Sequence, residues 1–200
     1  MAKKQLNGVS KGLGKIRYSI LGADGYGIPK ELGDLISFTV TPSENTTTLW
    51  AGDRQFIFDS SITASGTFAV PAISNTDMCA LFGFEMGSKG ELIYKSNAVK
   101  PTVALFIEQR NSNGVTDYLS LWECKLQLNA KSGNTKTDSI AYGTTEMAFE
   151  VIMPEDTIYM SVQSSDEDDF EQPTFETKPV KPVVKKATTS TLKTNKNVER

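Results

Sequence analysis

The chain predicts a mainly β, antiparallel domain, a β-sandwich or a partly closed barrel with one short α-helix near residues 74–83. Three observations carry that prediction. Period-two alternation recurs: Ile16, Tyr18 and Ile20 share one face, Ile36, Phe38 and Val40 another, and Met147, Phe149, Val151 and Met153 a third. Turn-rich stretches separate these runs, at 22–33 (GADGYGIPKELG), at Asn113-Gly114 and at Ser132-Gly133-Asn134-Thr135. Helical spacing occurs at one place, where Met78, Leu81 and Phe82 follow the capping residues Ser74 and Asn75.

Taken in order, residues 1–13 are polar and glycine-spaced and read as a flexible N-terminal arm. Lys15 to Leu21 alternates as the first strand. A strand opens at Asp34 and breaks at Pro42 into the polar run Ser43-Glu44-Asn45-Thr46-Thr47-Thr48. Leu49 and Trp50 then stand on the far side of a long loop, before Asp53 and Arg54. A tight hairpin needs only two to five connecting residues. A long polar excursion ending in Trp therefore folds back on its own domain or docks on a neighbour, since Trp is enriched at binding hot spots.

Phe56–Asp59 and Ile62–Val70 form the next pair of strands, the second with Ala64, Gly66, Phe68 and Val70 on one face. In the helix, Asp77 lies in the first turn, where the dipole favours negative charge. Gly83 or Gly87 ends it. Strands follow at Glu91–Tyr94, Thr102–Gln109 and Thr116–Leu128. Tyr118, Trp122 and Cys124 are expected on one face of the last, with Asp117, Glu123 and Lys125 on the other. Glu146–Met153 alternates with Glu146, Ala148 and Glu150 outward, and Thr157–Val162 is the final strand. The β domain so defined spans 14–163.

Beyond it the composition shifts. Asp166, Glu167, Asp168, Asp169 and Glu171 make an acidic block, and Lys178, Lys181, Lys185, Lys186, Lys193 and Lys196 a basic one. Apolar residues are few and prolines recur, so 164–200 reads as a charged, disordered C-terminal tail.

Composition narrows the chemistry. The 200 residues carry a formal charge of −3, which argues against a dedicated nucleic-acid binder. There is no histidine, which removes the commonest general base and metal ligand. The two cysteines, Cys79 and Cys124, are far apart and read as small hydrophobes rather than a bridge or a metal pair. No run of apolar residues is long enough to span a membrane. The N-terminus has the charge of a signal peptide without its apolar core, so a secreted form is not expected.

The glycine sets at 8, 12, 14 and 22, 25, 27 do not match a phosphate-binding loop. Asn45-Thr46-Thr47 matches a glycosylation acceptor that matters only in a secreted chain. The acidic run and the pair Glu146/Glu150 read as solvated surfaces, the basic run as tail. These residues predict no enzyme, no catalytic residue, no metal and no cofactor.

Four blocks carry a family resemblance: Leu35–Glu44 with the patch Leu49-Trp50-Ala51-Gly52-Asp53; Gly66–Pro71 leading into the helix that ends Ala80-Leu81-Phe82-Gly83; Lys100–Glu108; and Lys136–Ile140 with Thr144–Glu150. In order and spacing, over roughly residues 10 to 160, the chain resembles the major tail proteins of long-tailed, non-contractile bacteriophages. These are virion proteins, the tail tube subunits.

The resemblance implies the tail-tube type of β fold. It implies six-membered rings that stack into a hollow tube, assembled in the host bacterial cytoplasm, through which DNA passes during ejection. Closing rings and stacking them are both heterologous contacts. The implied partners are the chain itself and other tail proteins, the tape measure, terminator and distal tail proteins, with no membrane.

The stacking element would be Thr41–Gln55, with Thr46, Thr47, Thr48, Leu49, Trp50, Asp53 and Arg54 at the contact between rings. A lumen that lets DNA slide without specific binding should carry negative charge. Glu108, Asp117, Glu123, Glu146 and Glu150 are the candidates. Two other readings stand beside this one: a carbohydrate-binding or adhesin-type β-sandwich, and, last, an enzyme with paired carboxylates.

Overall fold

The computed structural model describes residues 9–51, 53–128, 144–152, 158–168, 170, 173 and 177–183, with the backbone alone for 45–51 and 54–61. The chain is mainly β, antiparallel throughout, with one short helix. The strands are β1 (Ser10–Gly22), β2 (Gly25–Tyr26), β3 (Lys30–Asp34), β4 (Ser37–Ala51) and β5 (Arg54–Val70). After helix α1 (Asn75–Phe82) come β6 (Glu85–Met86), β7 (Leu92–Ile93), β8 (Val103–Asn111), β9 (Thr116–Leu128), β10 (Thr145–Val151) and β11 (Met160–Ser164).

Nine strands make one sheet in the order β2-β1-β8-β9-β10-β5-β4, with β3 on β1 and β11 on β9. The branch at β9 sets the architecture. Its first half, Asp117–Leu121, pairs with β11, and its second half, Cys124–Leu128, pairs with β10. The change of partner falls at Glu123, the one described non-glycine residue with positive φ, at 54°. An extra residue in the left-handed region kinks a strand and shifts its alternation by one. Leu121 therefore shares a core with Cys124 and Leu126, while Trp122 enters a second cluster on the opposite face. The expected common face for Trp122 and Cys124 is corrected on this ground.

The main core gathers Ile16 and Tyr18 of β1, Val103, Leu105 and Ile107 of β8, Met147, Phe149 and Val151 of β10, and Ala64, Phe68 and Val70 of β5. β8 is buried on both faces, because Ala104 and Phe106 belong to the second cluster with Tyr26 and Trp122. A nearly continuous apolar run, Val103-Ala104-Leu105-Phe106-Ile107, is what a central strand covered on both sides requires.

Leu81 and Phe82 anchor α1 in the main core. The Ser74 side chain caps its first turn by accepting from the Asp77 N–H at 3.1 Å. Gly83, at φ 69°, closes the other end with its N–H on the Cys79 carbonyl. Tyr18 Oη donates to Asp77 Oδ1 at 2.8 Å and ties the helix start to β1.

Several expected boundaries move. β1 begins at Ser10, ahead of Lys15, because its first residues pair with the end of β8. The turn-rich 22–33 contains the two short strands β2 and β3. The strand expected at Glu91–Tyr94 shrinks to β7, which pairs only with β6 in a separate two-stranded sheet. The last strand begins at Met160. The turn at 132–135 and the inward Met153 lie outside the described residues.

Candidate functional site

The expected loop Thr41–Gln55 is not a loop. β4 runs through Pro42 without a break and pairs with β5 residue by residue, from Ser37 with Ala69 to Ala51 with Arg54. The two strands expected at 56–59 and 62–70 are a single strand, β5. Pro42 is tolerated because β4 ends the sheet order, and an edge strand can lack one ladder donor.

Two signals for this pairing stand in the sequence. Thr46-Thr47-Thr48 is β-branched and suits a pleated strand better than a loop. In the sequence, Gly-Asp at 52–53 matches the glycine-first dipeptides that favour two-residue hairpin turns. A register shift between Thr47 and Thr48 marks a bulge in the long hairpin.

β10 pairs with β5 only from Ser65 to Val70. Among the described residues, Pro42–Ala51 and Arg54–Ala64 therefore pair only with each other. At about 3.3 Å per residue that two-stranded ribbon is roughly 30 Å long. The predicted contact residues Thr46, Thr47, Thr48, Leu49, Trp50, Asp53 and Arg54 run from its midpoint to its turn. Leu49 is the register partner of Phe56 and Trp50 of Gln55, beside the turn. A two-stranded ribbon alone is marginally stable in water.

The five predicted carboxylates separate into two groups. Glu108 forms an ion pair with Arg17 across β8 and β1, with both side chains less than a fifth exposed. Asp117 accepts from Asn111 Nδ2 at 2.7 Å and from Ser164 Oγ at 2.5 Å. Glu123 pairs with Lys181 at 2.5 Å. These three, on β8 and β9, are held by partners from β1, β8, β11 and the segment around Lys181.

Glu146 and Glu150 differ. Both are exposed on β10, facing away from Met147 and Phe149. Glu150 is opposite Ser65 on β5 and Lys125 on β9, while Glu146 is opposite Ala69. Lys125 sends its ammonium to the Lys100 carbonyl at 2.5 Å, whereas Gln127 Nε2 reaches Glu150 at 3.4 Å. Continued across the ladder, this face presents Ser37, Thr39 and Thr41 of β4 and Ser65, Thr67 and Ala69 of β5. It is a surface of small and hydroxyl side chains bearing two carboxylates, with Lys125 and Gln127 of β9 beside them.

Sequence reasoning missed Lys181, because its partner is fixed by the positive-φ bulge at Glu123 and no short-range pattern announces it. Among the described residues, no group of three or more Asp, Glu or Cys could hold a metal ion. Both cysteines are free, and burial pushes the Cys124 thiol up to about 12. Among the described residues, no helix is long and apolar enough to cross a membrane. No protein-family model matches the chain, and no curated protein matches it.

Proposed function

We propose that this chain is the structural subunit of a phage tail tube, with a fold of the tail-tube type, forming hexameric rings that stack into a hollow DNA conduit of the virion. The observation that carries this reading is the β4–β5 ribbon. It places the predicted contact residues toward the end of a projection that, among the described residues, is paired only with itself. A ribbon of that kind gains stability when a neighbouring subunit covers it.

The face carrying Glu146 and Glu150 is the lumen surface in this reading. Its hydroxyl side chains are uncharged, Lys125 on this face is turned to the Lys100 carbonyl, and its carboxylates repel a phosphate backbone. Glu108, Asp117 and Glu123 drop out of that role because each is held within its own subunit. The tape measure, terminator and distal tail proteins are the partners this role entails.

The competing readings draw less support. A glycan-binding platform needs exposed aromatic rings, but Trp122 is buried beneath Tyr26 and Phe106. Glu146 and Glu150 are four residues apart on one strand, about 13 Å, beyond the roughly 5–9.5 Å of paired catalytic carboxylates.

Negative-stain microscopy of the purified chain separates the readings. Rings or tubes of uniform diameter are expected. A monomer at every concentration that also binds glycan arrays would refute the proposal.

A further inference from the structure

Residues 177–183 were expected to be solvated tail, yet they lie against the β domain. Lys178, Pro179, Val180 and Lys181 form one wall of a groove, and Leu21, Asp24, Gly25, Tyr26 and Glu123 form the other. The Lys181 ammonium reaches Glu123 Oε1 at 2.5 Å, with the lysine side chain 18% and the glutamate 25% exposed. The Glu123 N–H donates to Tyr26 Oη at 3.2 Å, so the backbone that holds the carboxylate is itself fixed by the groove floor. Beneath it, the Tyr26 ring tilts against Trp122 at 5.4 Å.

The peptide has a matching pattern. Residues 178–183 read Lys-Pro-Val-Lys-Pro-Val, a repeat of three. A polyproline-II helix has three residues per turn, so this spacing places Lys178 and Lys181 on one side and Val180 and Val183 on another. Both valines are more than four-fifths exposed and Lys178 is exposed as well, so it is Lys181, with its side chain 18% exposed, that the groove holds. The groove answers with Asp24 and Glu123 and with an aromatic floor, the chemistry that recognises extended, proline-spaced peptides.

The upstream end of the segment is also held. Ser165 N–H donates to the Thr116 carbonyl, Thr116 N–H donates to Ser165 Oγ, and Phe170 stacks on Tyr118 at 5.7 Å. From Tyr118 to Glu123 along β9 is about 17 Å. The chain from Phe170 to Lys181 spans up to roughly 36 Å when extended. One chain can therefore make both contacts.

We propose that this corner is a docking groove for an extended, lysine- and proline-spaced peptide. Its resident ligand is the chain's own segment 178–183, which latches the C-terminal region over the Tyr26–Trp122 face of the sheet. The site is independent of the tube assignment, since it rests on contacts within one chain.

Zero-length carbodiimide coupling on the full chain, with ¹⁵N-labelled and unlabelled protein mixed, tests it. A Glu123–Lys181 cross-link confined to chains of one isotope is expected. Its absence would overturn the docking, and a cross-link found mainly between isotopes would give the groove to a second copy instead. A second readout is ¹⁹F NMR of 5-fluorotryptophan protein, the Trp122 line being assigned with Trp50→Phe. Lys181→Glu should shift the Trp122 resonance, and Glu123→Lys with Lys181→Glu should return it. An unmoved resonance in Lys181→Glu, or a shift that the charge swap does not reverse, would contradict the latch.

Discussion

Glu123 shows how one residue governs more than its own contacts. Its positive φ moves the alternation of β9 by one, divides Trp122 from Cys124, and aims a carboxylate at Lys181. None of this is legible in the sequence, because Tyr118, Trp122 and Cys124 keep even spacing straight through the bulge. The burial of Cys124 has a measurable consequence. Desolvation, with a smaller contribution from the neighbouring Glu123 charge, raises its thiol from 9.0 to about 12. Above about pH 9 the unfolded chain gives up this proton while the folded chain keeps it, so stability falls as pH rises. The slope approaches about 1.4 kcal/mol per pH unit until the folded thiol titrates. Burial and the Asp77 hydrogen bond raise Tyr18 too, with the same sign. Urea titrations between about pH 9 and 11 should show this decline, and Cys124→Ala should flatten it. Gly66 is a second such position. A Cβ there would stand 1.9 Å from the Thr39 carbonyl oxygen and 2.6 Å from the Phe149 ring. Gly66→Ala should therefore lower unfolding free energy by about 1–3 kcal/mol, read from the urea midpoint.

Among the elements, strands with one buried face were legible. β9 begins and ends at the expected residues, and α1 occupies the segment that its caps and spacing marked. β10 buries Met147, Phe149 and Val151 and exposes both glutamates, as its alternation implied. The β4–β5 ribbon was not legible by the same rule. Alternation reports burial, and the ribbon's pairing reaches past the core, where polar residues follow one another without a hydrophobic period. Its turn chemistry at Gly52-Asp53 was the better signal. If the ribbon's end joins one ring to the next, Trp50→Ala should lower tube yield in sedimentation assays by at least several-fold, since hot-spot aromatics contribute about 2 kcal/mol or more. The same variant should keep the monomer's thermal transition, because Trp50 lies where, among the described residues, β4 pairs with β5 and β5 pairs with no further strand. Normal tube yield from Trp50→Ala would remove this residue from the contact.

For the whole molecule, the order of elements leaves β4 at the edge of the sheet among the described residues, projects the ribbon, and sets Glu146 and Glu150 on a face of mostly small and polar residues. The sequence foreshadowed the five carboxylates only as outward positions. The fold sorts them, because partners from distant segments, Arg17, Ser164 and Lys181, engage three of them and leave these only partly exposed. The proposed role joins the ribbon and this face in one assembly, with the ribbon linking rings and the carboxylates facing the passing DNA. A helical reconstruction of the assembled protein tests both at once. The tube account predicts residues 42–64 seated on the adjacent ring and Glu146 and Glu150 lining the channel. A channel lined mainly by lysine and arginine, or a ribbon left uncovered between rings, would contradict it.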